Sequence, residues 1–500
     1  MQAYASEAAR EAFAASYARV DTVVEWLCGP QAAQMTHAQL EDRLHTDGLA
    51  VLRQLLQDSL DLRAEREQRL VDVTDADGVA RSGAEYGHER DLATVFGQVR
   101  VARIAYRSRG RANLHPADAA LNLPAEKHSH GLRRLAAIEA TRGSFDAAAA
   151  GIERATGVRV GKRQVEELTV RAAIDVDAFY TARDPGRAAD TDVLGLTADA
   201  KGIVMRPDAL REPTAKAAVS RKLTTRLSRG EKRFRKRMAE VGAVCDITPV
   251  PRTVADILPP PDAPRGTARP APRTRTTWLH ASVSTDAAAV ITAMFDEATR
   301  RDPEHRRTWV ALVDGNRHQI DRIRVESRAH KVSVPIVVDF VHVLEYVWAA
   351  AWCFFAEGDR AAESWVREHA RRILHGQAGI VAAAIRRTAT NRDLSPEQRR
   401  NADRCATYLL NNKRHLDYPT ALARGWPIAT GVIEGACRYL VKDRMDITGA
   451  RWGLPGAEAI LKLRALISNG DFDAYWTFHL THEQQRVHNT RYLDGVIPGL

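Results

Sequence analysis

Of the 63 acidic residues in this 500-residue chain, three have surroundings that suggest chemistry rather than surface charge. Asp199 follows the short apolar run Val193 to Thr197, and Asp314 follows the continuous apolar run Thr308 to Val313. Both runs read as buried strands, and in an open α/β sheet such strand ends face the ligand crevice. Two carboxylates there can hold a hard divalent cation, because Mg2+ prefers oxygen ligands and keeps several of its waters. A third carboxylate is needed to fix two metals about 3.5–4 Å apart for in-line displacement at phosphorus. Glu434, within Trp426 to Arg438, is the candidate, with Glu458 as a rival set among helix-forming residues. Each acid also has a plainer reading. Asp314-Gly315 suits a turn, and Glu434 with Arg438 suits an i, i+4 ion pair.

A second constellation is Asp339-Phe340-Val341-His342, where an apolar strand gives way to a helix. The i, i+3 spacing puts both polar side chains on one helix face, while Asp339 alone would serve as an N-cap. No further ligand is adjacent in sequence. His479 and His482 are similarly spaced and, with no third ligand in sight, read as surface residues. No phosphate-cradling glycine loop and no nucleophile elbow is present.

The elements that must position these residues follow from periodicity. Val193 to Thr197 predicts a first strand ending at Asp199, Gly202 to Met205 its hairpin partner, and Gly242 to Thr248 a third strand. A helix over Asp286 to Arg300, a strand over Thr308 to Val313 and another over Val334 to Val338 follow. Helices are then expected over Phe340 to Ala356, Ala361 to Arg386 and Pro396 to Leu409. This is the order of an α/β, ribonuclease-H-like domain with a helical insertion after its fifth strand. Upstream, the chain reads as mainly α-helical, with a short hairpin over Asp91 to Tyr106 around Gly97-Gln98. Ser144 to Ala173 reads as helix, turn, helix: Ser144 suits an N-cap, Gly157 a C-cap, and the second helix starts near Lys162, Arg163 and Gln164. Basic and amide side chains at a helix start suit a recognition helix entering a major groove, and equally an ordinary helical hairpin.

The corresponding division is an N-terminal helical region (1–135), a helix-turn-helix-like DNA-binding region (136–190), the first part of a catalytic core (191–342), a helical insertion (343–428), and the second part of the core with the C-terminal tail (429–500). Pro249 to Pro272 holds eight of the 21 prolines and reads as an extended surface loop, reaching residue 275.

The net charge is +10, and Arg211 to Glu240, with eleven Lys or Arg against three acids, supplies +8 of it. Its densest part contains Lys232, Arg233, Arg235, Lys236 and Arg237. Such a run marks a solvated helix face or a phosphate-contacting surface, and nucleic acid is the natural polyanion. The five cysteines, Cys28, Cys245, Cys353, Cys405 and Cys437, form no Cys-x-x-Cys pair, which argues against a disulfide framework or a thiolate zinc site. The start of the chain lacks a secretory pattern. The longest apolar run, Val347 to Ala356, is short of a membrane span. A soluble cytoplasmic, nucleoid-associated protein is expected.

Four segments resemble the ISKra-type bacterial insertion-sequence transposases within the Mutator-like DDE group. They are Thr94 to Val101 with Tyr106-Arg107 and Pro116 to Pro124; Asp199 to Arg206; Val313-Asp314-Gly315 with Val338 to Trp348; and Thr430 to Glu434 with Arg438 to Trp452. The resemblance runs from about Gly78 to about Asp471, with Ala200 standing where Asp-Gly-Lys-Gly is commoner. It implies a catalytic, metal-holding triad of Asp199, Asp314 and Glu434, with Mg2+ as cofactor and Mn2+ able to substitute. Asp339 and His342 would be an accessory element near bound DNA, and not a metal site. Lys162, Arg163, Gln164, Lys232, Arg233, Arg235, Lys236, Arg237, Arg438, Lys442, Arg444, Arg451 and Trp452 would contact DNA. The implied activity is phosphodiester hydrolysis at transposon ends, followed by 3′-OH strand transfer into target DNA. The partners would be double-stranded DNA (terminal inverted repeats and target) and further copies of the chain, with no membrane. A catalytically inactive or domesticated DNA-binding protein, or a metal-dependent nuclease without strand transfer, are the alternatives.

Overall fold

The computed structural model describes residues 8–186, 188–219, 235–260, 264, 266, 268–429, 431–447 and 449–499. The chain divides into two compact units, one of residues 1–182 with 471–500, the other of residues 183–470. Residues 471–500 thus pack with the N-terminal part of the chain, and not with the second half of a core spanning 429–500. Among the described residues no helix is long and apolar enough to cross a membrane.

The first unit is helical around one antiparallel hairpin. Its long helix His37–Arg66 opens on a capping box in which Thr36 and Gln39 bond each other's backbone. The hairpin pairs β1 (Gly83–Thr94) with β2 (Gly97–Arg107), closed by Val95-Phe96. It is longer than the sequence suggested, and Gly97 begins β2, its φ of +121° suiting a residue without Cβ. The helical hairpin is as expected. Ser144 caps Phe145–Thr156 through the Ala147 N–H, Gly157 ends that helix in the left-handed region, and Lys162–Ala172 follows.

A buried ionic cluster ties this unit together, and it corrects the placing of His479 on the surface. His479 is fully buried, its Nδ1 2.7 Å from Asp175 and its Nε2 3.1 Å from the Arg133 guanidinium. Arg133, also fully buried, bonds Glu126 and Glu483. Helical spacing does not tell a surface histidine from one that completes a buried network. Burial alone would raise the Asp175 pKa, but hydrogen bonds from His479 and Arg486 outweigh it and hold the carboxyl at about 2. An ordinary aspartate titrates near pH 3.9, so between those values the unfolded chain binds the extra proton. Stability from this group is present above about pH 4 and is lost as pH falls toward 2. Asp175→Asn is expected to cost roughly 2 kcal/mol at pH 7 and to flatten the acid limb of stability; urea unfolding between pH 2 and 7 checks both.

The second unit is mixed α/β with a five-stranded sheet. Its strands are β3 (Val193–Val204), β4 (Lys236–Thr248), β5 (Arg273–Ser282), β6 (Trp309–Val313) and β7 (Ile336–Val338). Their order is β5-β4-β3-β6-β7, with β3, β4 and β5 antiparallel and β3, β6 and β7 parallel. The count of five strands agrees with the sequence reading, but two assignments differ. Gly202 to Val204 is not a hairpin partner; it continues β3 through Asp199, and the partner is β4. β5 begins at Arg273, inside the stretch read as a loop, because Thr274, Thr276 and Thr277 favour an extended chain once the prolines end. Every residue of β6 is buried, as in a strand covered on both faces.

After β7 the helices are Phe340–Ala351, Arg360–Leu374, Ala378–Asn391, Arg400–Asn411 and Tyr418–Ala423. The single helix expected over Ala361 to Arg386 is broken at Gly376, which adopts φ +78°. A tight turn at Gly425 leads from this block to the Glu434 helix, Gly431–Ala436. Gly425 has φ +74°, and a Cβ there would lie 2.6 Å from the Val250 nitrogen. Both constraints demand glycine. Gly425→Ala is expected to destabilise this unit by about 2 kcal/mol or more, read as a lower urea midpoint.

Candidate active site

Strand register brings the aspartates together. β3 pairs with β6 through Thr197 opposite Leu312, and β6 with β7 through Val313 opposite Val338. Two residues on from the first pair lie Asp199 and Asp314; one residue on from the second lie Asp314 and Asp339. Three adjacent parallel strands, spaced about 4.8 Å, therefore have an aspartate at one level, Asp314 and Asp339 directly after β6 and β7 and Asp199 level with them on β3. Asp199 is not beyond its strand but inside it, opposite Val241 of β4.

Each aspartate is held by its own backbone. Asp199 Oδ1 accepts from the Ala200 N–H at 2.7 Å, and Asp314 Oδ1 accepts from Asn316 at 2.8 Å, so the turn role of Asp314 is present too. Asp339, fully buried, caps the Phe340–Ala351 helix by accepting from Val341 at 2.6 Å and His342 at 3.4 Å. Tyr408 donates to the Asp314 carbonyl at 2.8 Å and stacks on Tyr346 at 3.9 Å, bracing the turn in which Gly315 sits at φ +90°.

Glu434 comes from the short helix Gly431–Ala436, which runs into a π-helical turn, Cys437–Lys442. The Cys437 thiol, one helical turn after Glu434, lies near the Asp199 carboxylate. Burial, reinforced by that carboxylate, raises its pKa far above the usual thiol range. Glu434, His342 and Asp339 form a close group, one ligand atom of each within 4.8 Å of the others. Neither Asp199 nor Asp314 joins a group of three that tight among the described residues. The acids expected to form the triad are thus split between a strand-end pair and a cluster that includes the accessory Asp339 and His342.

The rival Glu458 accepts from the Ser282 hydroxyl and from the Val283 and Ser284 N–H groups at 2.8–3.0 Å, closing the end of β5. It has a structural task. Arg438 lies 3.9 Å from Asp443 rather than pairing with Glu434. A further acid escaped the sequence reading. Glu240 of β4 faces Ala200, and burial together with Asp199 and Asp286 raises its pKa against the pull of Arg211. Finding it needed the β3–β4 register, which no local pattern reveals.

The basic residues fall into distinct situations. Lys162 and Arg163 are exposed at a helix start, paired with Asp146 and Glu167, whereas Gln164 caps the same helix through the Gly161 N–H. Arg438, Lys442 and Arg451 are exposed. Lys236 pairs with Asp446 at 2.9 Å, Arg235 donates to the Ala217 carbonyl, and Arg237 donates to the carbonyls of Val283, Ser284 and Ala209. Lys232 and Arg233 lie outside the described residues. Lys236 and Arg237 belong to β4 rather than to a helix. Trp452 and Arg444 are buried and stack on each other at 4.7 Å, so they hold the fold rather than offering a surface to DNA. Trp452 also bonds the Val204 carbonyl and the Arg206 N–H, strapping its segment to the end of β3.

Removing Glu458 would leave two backbone N–H groups and a hydroxyl without their acceptor. Glu458→Ala is expected to cost about 2–3 kcal/mol; the drop in unfolding temperature measured by calorimetry checks it. No protein-family model matches the chain, and no curated protein matches it.

Proposed function

We propose that the chain is an insertion-sequence DNA transposase of the DDE type, with a ribonuclease-H-like catalytic domain. The observation that carries the reading is the common level of Asp199 in β3 and Asp314 just after the parallel neighbour β6. The order β5-β4-β3-β6-β7, with helices after β7, supports it too.

The donors suit a hard cation, since Asp199, Asp314 and Glu434 offer oxygen alone. Bound Mg2+ supplies a water made acidic enough to attack at neutral pH and positive charge at the leaving oxygen. The chain supplies position. Asp199 is fixed by the β3 backbone, and Asp314 by its turn and Tyr408. Glu434 is exposed and turns about its own side-chain torsions, so it can complete the set. Exposed Lys162, Arg163, Arg438, Lys442 and Arg451 would neutralise phosphates, giving affinity that falls with salt whatever the sequence. Two DNA ends must meet, so an oligomer forms on DNA under this reading.

The test is a cleavage and joining assay with DNA bearing the element's own ends and Mg2+. Asp199→Asn, Asp314→Asn and Glu434→Gln are each expected to reduce product by roughly 10³-fold or more with DNA binding retained. Cutting that survives Asp314→Asn refutes the triad. Cutting without joining makes the protein a nuclease, and binding without cutting makes it a non-catalytic DNA-binding protein.

A further inference from the structure

We propose that Asp339, His342 and Glu434 form a binding site for one transition-metal dication of the Mn2+ or Zn2+ kind, which holds Glu434 when that side chain is turned away from the Asp199–Asp314 pair. This goes beyond the transposase reading, which gives Asp339 and His342 only an accessory place near DNA.

Ligand geometry comes first. Their ligand atoms already lie within 4.8 Å of one another. Ligands held about 2.0–2.2 Å from one ion are at most roughly 4.4 Å apart, so small side-chain rotations close the site. A second observation is independent of that distance. His342 is half-buried, but its Nδ1 atom is out of reach of solvent and has no hydrogen-bond partner among the described residues. An unsatisfied buried polar atom costs about 1–3 kcal/mol, and such an atom in a native fold calls for an ion or water.

The supporting shell is rigid on one side. Asp339 is fully buried and fixed by two backbone N–H groups, and His342 follows it one helical turn later on the same face. Glu434 arrives from a different element, so an ion here would join the Glu434 helix to the end of β7 and fix a carboxylate that is otherwise exposed. The Phe340 N–H to Ile428 carbonyl bond, 2.8 Å, already holds the two segments side by side. The donor set decides the metal. An imidazole nitrogen beside two carboxylates suits Zn2+ or Mn2+ and disfavours Mg2+, which seeks oxygen alone. Three protein ligands leave an open position for water or a substrate oxygen.

The test uses the full chain without DNA, so its outcome does not depend on whether the protein cuts DNA. Chelator-stripped protein is equilibrated with Zn2+ or Mn2+, desalted, and assayed for metal per chain by mass spectrometry. About one ion should remain on the unmodified protein, and a hundredfold excess of Mg2+ should not displace it. His342→Ala and Glu434→Gln should weaken retention at least tenfold, with circular dichroism confirming that both variants fold. Asp199→Asn should retain the ion. Metal-free unmodified protein, or full retention by His342→Ala, overturns the proposal. Loss of the ion from Asp199→Asn also overturns it, by assigning the ion to the strand-end acids instead.

Discussion

The pairing of β3 with β6 is the constraint on which the sheet unit depends. Side chains alternate along a strand, so a slip of one residue would turn Asp199 to the opposite face from Asp314. Several features hold the register. β6 is buried along its whole length, which leaves one way to match its apolar surface. β3 is gripped along its full twelve residues by β4, and its far end is pinned by Trp452. The backbone bond from Asp339 N to the Val313 carbonyl, 2.8 Å, extends the same register to β7. The level of the aspartates is thus set by backbone hydrogen bonds between strands, and Tyr408 then braces the Asp314 turn.

That alignment concentrates negative charge. Asp339 and Glu434 lie close together beside His342, and at the neighbouring Glu240 burial, with Asp199 adding to it, raises the pKa. Like charges this close are unfavourable unless a cation or a proton compensates. Backbone N–H groups meet part of the need at Asp199, Asp314 and Asp339. The first unit solves its own charge problem differently, by pairing Arg133, His479, Asp175 and Glu483 inside its core.

Much of this was legible in the sequence, and what was missed has physical causes. Asp314 and Asp339 could be found because each follows an unbroken apolar run, and Ser144 and Gly157 because caps are local chemistry. β3 was cut short at Asp199 because a polar, glycine-containing stretch does not look like a buried strand; its second half is a strand through its pairing with β4. β5 was hidden behind the prolines that precede it. Glu240 and Cys437 carry no local signal, since their meaning comes from register and from helix packing. Trp452 and Arg444 stood out as a motif, but a motif does not reveal that both side chains face inward. The joining of His342 to Glu434 crosses 92 positions of chain, and only the fold brings them together.

If the chain is a transposase, the reacting phosphate sits between Asp199 of β3 and Asp314 after β6. The most direct measurement is a crystal structure of the protein bound to a DNA end with Mn2+, located by its anomalous scattering. The expected result is metal about 2.1 Å from carboxylate oxygens of Asp199 and Asp314, beside a DNA phosphate. DNA bound elsewhere, with no metal between those two aspartates, would contradict it.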